Sequence, residues 1–135
     1  NIQFEAYAKA IAIEGQSALS VARTMILPAA QKTQRDVADS LTSAKTNGLN
    51  VEKQTARLRD MSEHIESFIG CLDELSEKFE RAEAHNSSEY EHAKQYRDEV
   101  VPALDRLRSR ADLLETMIDD VYWPLPKYRE LLFLQ

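Results

Sequence analysis

The sequence predicts an all-α fold, an up-down-up antiparallel bundle of three long helices. Three observations carry that prediction. Val51, Leu58, Ile65, Leu72 and Phe79 recur every seven residues, and Met61, Phe68, Leu75 and Ala82 fill a second seam position where Gln54 is the one polar residue. The connections between the long helical patterns are only a few residues long, which forces antiparallel neighbours. Three glycines and four prolines are too few for the many turns of an all-β fold.

The expected helices run over about 2–46, 51–84 and 88–121, followed by a short Trp/Pro-rich tail over 122–135, all in a single helical domain of residues 1–135. In the first helix Phe4, Ile11, Ala18 and Met25 are seven apart, and so are the small residues Ala8, Gly15, Ala22 and Ala29. A small-residue seam lets a neighbouring element approach closely. Pro28 removes the bond to the Thr24 carbonyl and predicts a kink. Val37, Leu41 and Ala44 continue the inward face until Asn47-Gly48 ends the helix. Asn50 is placed to cap the second helix, and Ser88 with Glu91 forms a capping box for the third. That third helix sets Ala93, Val100, Leu107, Leu114 and Val121 at one seam position and Leu104, Ala111 and Ile118 at the other. Pro102 predicts a kink there too. Trp123-Pro124-Leu125-Pro126 cannot be helix, because each proline disfavours the α conformation in the residue before it. One last helical turn is expected over Lys127–Phe133.

Composition excludes several classes of function. A net charge of −6 argues against nucleic acid or an anionic membrane as partner. No apolar run approaches the roughly 20 residues of a membrane span. The chain has neither a secretory signal nor an initiator Met and starts within a helical pattern, so the expectation is an excised fragment. Cys71 is the only cysteine, which points to a core thiol and a cytoplasmic setting.

Catalytic constellations are missing from the sequence. Glu89 and His92 make a single Glu-x-x-His, whereas a dimetal carboxylate bundle needs two such motifs plus two further glutamates. There is no Gly-rich phosphate loop, nucleophile elbow or paired-cysteine zinc set. Arg57/Arg59 and Arg106/Arg108/Arg110 read as a solvated face paired with Asp60, Asp105 and Asp112. The expected catalytic, cofactor-binding and metal-binding residues in this chain are therefore none.

Three segments carry a family resemblance. They are Ile26-Leu27-Pro28-Ala29-Ala30, Tyr96-Arg97-Asp98-Glu99-Val100-Val101-Pro102-Ala103-Leu104, and the ending Tyr122-Trp123-Pro124-Leu125-Pro126-Lys127-Tyr128 with Glu130-Leu131-Leu132-Phe133. Together they resemble the C-terminal region of type III glutamine synthetases, over essentially the whole chain. The resemblance implies a parent enzyme that joins ammonia to glutamate using ATP and Mg or Mn, in a large ringed homo-oligomer. It implies that this chain is an accessory or assembly domain whose partners are its upstream catalytic domain and neighbouring subunits. No catalytic residue of the family matches a position here. The alternative is a freestanding coiled-coil-like interaction module, of spectrin type or a signalling bundle; the apolar breadth from Phe4 to Ile13 argues against it.

Packing and interaction therefore rest on Phe4, Tyr7, Ile11, Pro28, Gly70, Pro102, Trp123, Pro124, Leu125 and Pro126. Pro28, Gly70 and Pro102 are expected to share one layer. Trp123 is expected against Leu41 and Val51 at the end of the bundle. Ile2, Phe4, Tyr7 and Ile11 are expected to overhang the other end, with nothing inside the chain to cover them.

Overall fold

The computed structural model describes residues 2–84 and 88–126, and every regular element among them is helical. The first rod consists of α1 (Ile2–Val21), a π-helical turn (Ala22–Ile26) and α2 (Leu27–Thr46). The second is α3 (Glu52–Ala84). The third consists of α4 (Glu89–Gln95), a second π turn (Tyr96–Val100) and α5 (Val101–Glu115). α3 packs against both α2 and α5, while α4 packs against α1.

Local chemistry accounts for the ends. Gly48 takes φ +75° and its N–H donates to the Lys45 carbonyl, while Leu49 N–H donates to the Ala44 carbonyl. This pair of bonds is the Schellman arrangement, which uses glycine's access to left-handed backbone to satisfy two terminal carbonyls. Ser88 Oγ accepts from Glu91 N–H at 3.2 Å, forming the expected N-cap, whereas Asn50 Oδ1 accepts from Glu52 N–H at 3.0 Å from one residue ahead of the cap position, which Val51 holds with its carbonyl bonded to Thr55 N–H.

Each proline is preceded by the same device. An α-helix would drive the ring of Pro28 into the Thr24 carbonyl, and that of Pro102 into the Asp98 carbonyl. Instead Leu27 N–H donates five residues back to Ala22, and Val101 N–H donates five back to Tyr96. The extra residue widens the turn just ahead of the ring, while the backbone stays right-handed helical through both junctions.

The core follows the predicted seams closely in the lower half of α3. Phe68, Leu75, Tyr96, Val100 and Leu114 are fully buried, with Ile65, Leu72, Phe79, Leu104 and Leu107 beside them. Each such side chain contributes about 1.5–3 kcal/mol relative to exposure. Across the first rod Ala8, Gly15, Ala22 and Ala29 are all buried. Their purpose is clearest at Gly15: a β-carbon there would overlap the Phe79 ring, with Cε2 only 2.7 Å away.

The upper half departs from expectation. α5 ends at Glu115 rather than near residue 121, and no residue from 34 to 64 is buried. Asp119 explains the early stop. Its Oδ1 accepts from Val121 N–H at 2.9 Å, and its own N–H donates to Thr33 Oγ1 at 3.2 Å, so side-chain bonds replace the helical ladder. Val121, placed on the seam by its spacing, is 85% exposed. Val51, Leu58 and Met61 are left half-buried, because two rods rather than three meet there. The overhang thus lies toward Gly48. At the chain's start α4 runs beside α1, and the Phe4 and Tyr90 rings meet edge to face at 5.3 Å, so that end is not wholly uncovered.

The expected layer of Pro28, Gly70 and Pro102 does not form. The Glu14–Arg108 and Thr33–Asp119 bonds join positions 94 and 86 apart, which sets Pro102 beside residues 8–16 of the first rod. Pro28 lies at least 12 positions further on, roughly 18 Å at 1.5 Å per residue. Gly70 is exposed and has open space where a β-carbon would stand. Gly70→Ala is therefore expected to stabilise the chain by about 0.5–1 kcal/mol through lower unfolded-state entropy. Urea unfolding checks this; a loss of stability would show that the position is in contact.

Candidate interaction surfaces

Titratable side chains are spent on holding the rods together. Tyr96 lies in the second π turn, completely buried, with its ring edge-on to Phe79 at 6.0 Å and to His92 at 5.1 Å. Its hydroxyl donates to Glu83. Burial first, and then that carboxylate, hold the phenol well above its ordinary pKa. His92 Nε2 stands 3.8 Å from the same Glu83 carboxylate. No group of three metal-ligating side chains occurs among the described residues. Cys71 is half-buried against the core, a packed thiol rather than a fully buried one.

Of the arginines read as a solvated face, Arg106 and Arg108 pair across rods and not with neighbouring aspartates. Arg106 bonds Glu74 on α3, Arg108 bonds Glu14 on α1, and Lys78 reaches Glu99 at 2.6 Å. Asp60 is taken by His64 at 3.5 Å. These exposed pairs set register more than stability.

Thr33 is the residue that sequence reasoning missed. It is the one buried polar side chain among the described residues; its hydroxyl donates to Ala29 O at 3.0 Å and accepts from Asp119 N–H. A threonine donating four residues back is common on helices, so nothing in the sequence marked its second bond. Just beyond, Tyr122 Oη donates to Asp36 at 2.5 Å. This fastens the start of the tail to α2.

The tail then doubles back. Trp123 and Leu125 pack against the core, a cluster that includes neither Leu41 nor Val51, the side chains against which Trp123 was expected. Leu125 reaches a hollow that it shares with Ala18, Val21, Ile26, Leu107 and Ala111. The reason is the early end of α5, which releases the chain at the level of Thr33. Trp123 Nε1 is buried without a hydrogen-bond partner among the described residues. Pro124 is half-buried and Pro126 exposed. Residues 127–135, where a last helical turn was expected, lie outside the described residues.

At the start of α1 a second hollow is floored by Phe4, Tyr7, Tyr90 and Ala93, with Lys94 and Arg97 at its rim. Phe4 is 36% exposed, Tyr7 39% and Ile2 85%. Ile11 is half-buried on the core and drops out of this surface.

The model for the glutamine synthetase C-terminal domain matches residues 1–45, the first rod almost to its end. Nearly the whole chain, 99%, aligns at 30% identity with a type-3 glutamine synthetase from Dictyostelium discoideum. A glutamine synthetase from Bacteroides fragilis (strain YCH46) aligns with 98% of it, also at 30% identity. The chain belongs to the glutamine synthetase C-terminal domain family. It spans 19% of the length of each of these two relatives. Within this family domain the matched first rod holds Gly15, Pro28 and Thr33, the small-residue seam, the π-turn proline and the tie to the third rod.

Thr33→Val keeps the shape of the side chain but leaves Asp119 N–H without its acceptor. It is expected to cost about 1–2 kcal/mol, with Thr33→Ser close to the parent. Thermal melts of both variants check this; equal loss in both would assign the effect to packing alone.

Proposed function

We propose that this chain is the helical accessory domain at the C-terminal end of a glutamine synthetase, an enzyme that ligates ammonia to glutamate at the expense of ATP. In this reading ATP and Mg or Mn bind in the parent's catalytic domain, upstream of the chain, and the parent is a cytoplasmic homo-oligomer. The domain's own part is assembly. Its three rods form an up-down-up bundle, bent at Pro28 and Pro102, and the end bearing Ile2, Phe4 and Tyr7 packs on the catalytic domain or a neighbouring subunit.

The observation that carries this reading is the alignment of 98–99% of the chain with two glutamine synthetases. The use of Arg106, Arg108, Lys78 and Tyr96 as ties between rods agrees with a role in assembly. No helix among the described residues is long and apolar enough to cross a membrane.

The test is Ile2→Glu with Phe4→Glu in the full-length protein that carries this chain. Losing two buried apolar side chains from an interface removes about 3–6 kcal/mol, so subunit association is expected to weaken at least about a hundredfold. Sedimentation at several concentrations reads the association, glutamine formation reads the consequence, and circular dichroism confirms that the helices persist. Unchanged assembly with intact helices would contradict the proposal.

A further inference from the structure

The two hollows sit between the first rod and the third, one above the other, and the Glu14–Arg108 bond crosses between them. They differ in shape and in charge. Around the low one stand the exposed rings of Phe4, Tyr7 and Tyr90. The upper one is larger, about 650 Å³, and its wall is mainly apolar, with Ala18, Val21, Ile26, Leu107 and Ala111 beside Leu125. Arg97 is bonded to Asp98 and Arg108 to Glu14, so the remaining rim charges are Lys94 at the low hollow and Asp112 at the upper. The rings and cation of one hollow therefore complement the apolar wall and anion of the other. A single chain cannot bring them together. Tyr7 and Val21 are 14 positions apart on the first rod, about 21 Å, and Lys94 and Asp112 are 18 apart on the third, about 27 Å.

We propose that a second copy of this chain supplies the complement: the upper hollow of each copy receives Phe4 and Tyr7 of the other. This rests on the reading of the Phe4 end as an assembly surface, and it names what that surface meets. A two-fold axis perpendicular to the rods exchanges low for high in both copies at once and sets like rods face to face, antiparallel. Tyr7 exchanges with Val21 about the level of residue 14, and Lys94 with Asp112 about the level of residue 103. One axis serves both pairings only if residues 14 and 103 lie at the same height. Their offset of 89 falls between the 94 and 86 that the Glu14–Arg108 and Thr33–Asp119 bonds set for neighbouring positions on the two rods. The Glu14–Arg108 bridge then lies at the axis and, joining opposite charges, brings no net charge to it. Each contact has aromatic anchors in an apolar hollow with opposite charges at the rim, the anatomy of an energetically dominant interface patch.

Charge reversal in the full-length protein that carries this chain tests it. Lys94→Glu and Asp112→Lys each set like charges together at both contacts and are expected to weaken association about tenfold. Combined, they restore opposite charges and are expected to return association to within about twofold of the parent. Both side chains are exposed, outside the core, and circular dichroism confirms that the helices persist. Sedimentation at several concentrations reads each variant. Weakening by the single changes with no recovery in the double would overturn the pairing. Single changes without effect, beside lost association in Ile2→Glu with Phe4→Glu, would overturn it while leaving the assembly reading intact; no effect in any variant would remove both. A second measurement locates the contact. In a Cys71→Ser background, chains carrying Tyr7→Cys are co-expressed with chains carrying Val21→Cys and bridged with a short bis-maleimide. Peptide mass analysis is expected to find Tyr7→Cys joined to Val21→Cys of the other copy, and no such link when Leu49→Cys replaces Val21→Cys. No link, or equal linking in that control, would overturn the proposal.

Discussion

The close approach of α3 to α1 at Gly15 is the constraint on which the remaining packing depends. The Phe79 ring occupies the volume a side chain at Gly15 would need, and the same ring meets Tyr96 edge-on from the third rod. One aromatic side chain therefore touches all three rods at one level. Tyr96 can be fully buried there only because Glu83, on the next turn of α3, accepts a hydrogen bond from its hydroxyl. The glycine that costs α1 helical stability is thus what permits the best-buried part of the core.

The repeated π turn gives the rods their registers. A regular helix cannot carry a proline in its interior without losing a bond and meeting a carbonyl. Inserting one residue ahead of Pro28 and one ahead of Pro102 solves both problems at once, and it rotates everything beyond by a fraction of a turn. Ile26 and Val100 then face inward on one side of each proline, and Ala29 and Ala103 on the other. The offset of at least 12 positions between the prolines staggers the two wide turns along the assembly.

Much of this was legible in the residues. The heptads of α3 name the core from Ile65 to Ala82, the Asn47-Gly48 and Ser88 signals mark the helix ends, and the small-residue seam anticipates the close approach at Gly15. The upper half was not, because periodicity reports which face is apolar and not how many rods will cover it. Val51 and Leu58 have the same spacing as Leu72 and Phe79, yet end half-buried because Asp119 stops the third rod early. The interaction surface was read in part. Phe4 and Tyr7 line the hollow at the start of α1, whereas Ile11 packs on the core. The contacts of Phe4 with Tyr90 and of Thr33 with Asp119 are long-range, and no local pattern encodes them.

The central claim is that the Gly15–Phe79 approach organises the rods, and the unfolding free energy of Gly15→Ala tests it most directly because two effects of opposite sign compete. Helix propensity alone would stabilise the variant by about 1 kcal/mol. Overlap with the Phe79 ring is worth about 1–3 kcal/mol of strain, more if the ring is displaced from Tyr96. The account predicts a net loss of stability, with a melting temperature several degrees lower, and partial recovery when Phe79→Leu is added to make room. A variant as stable as the parent, or more stable, would contradict it.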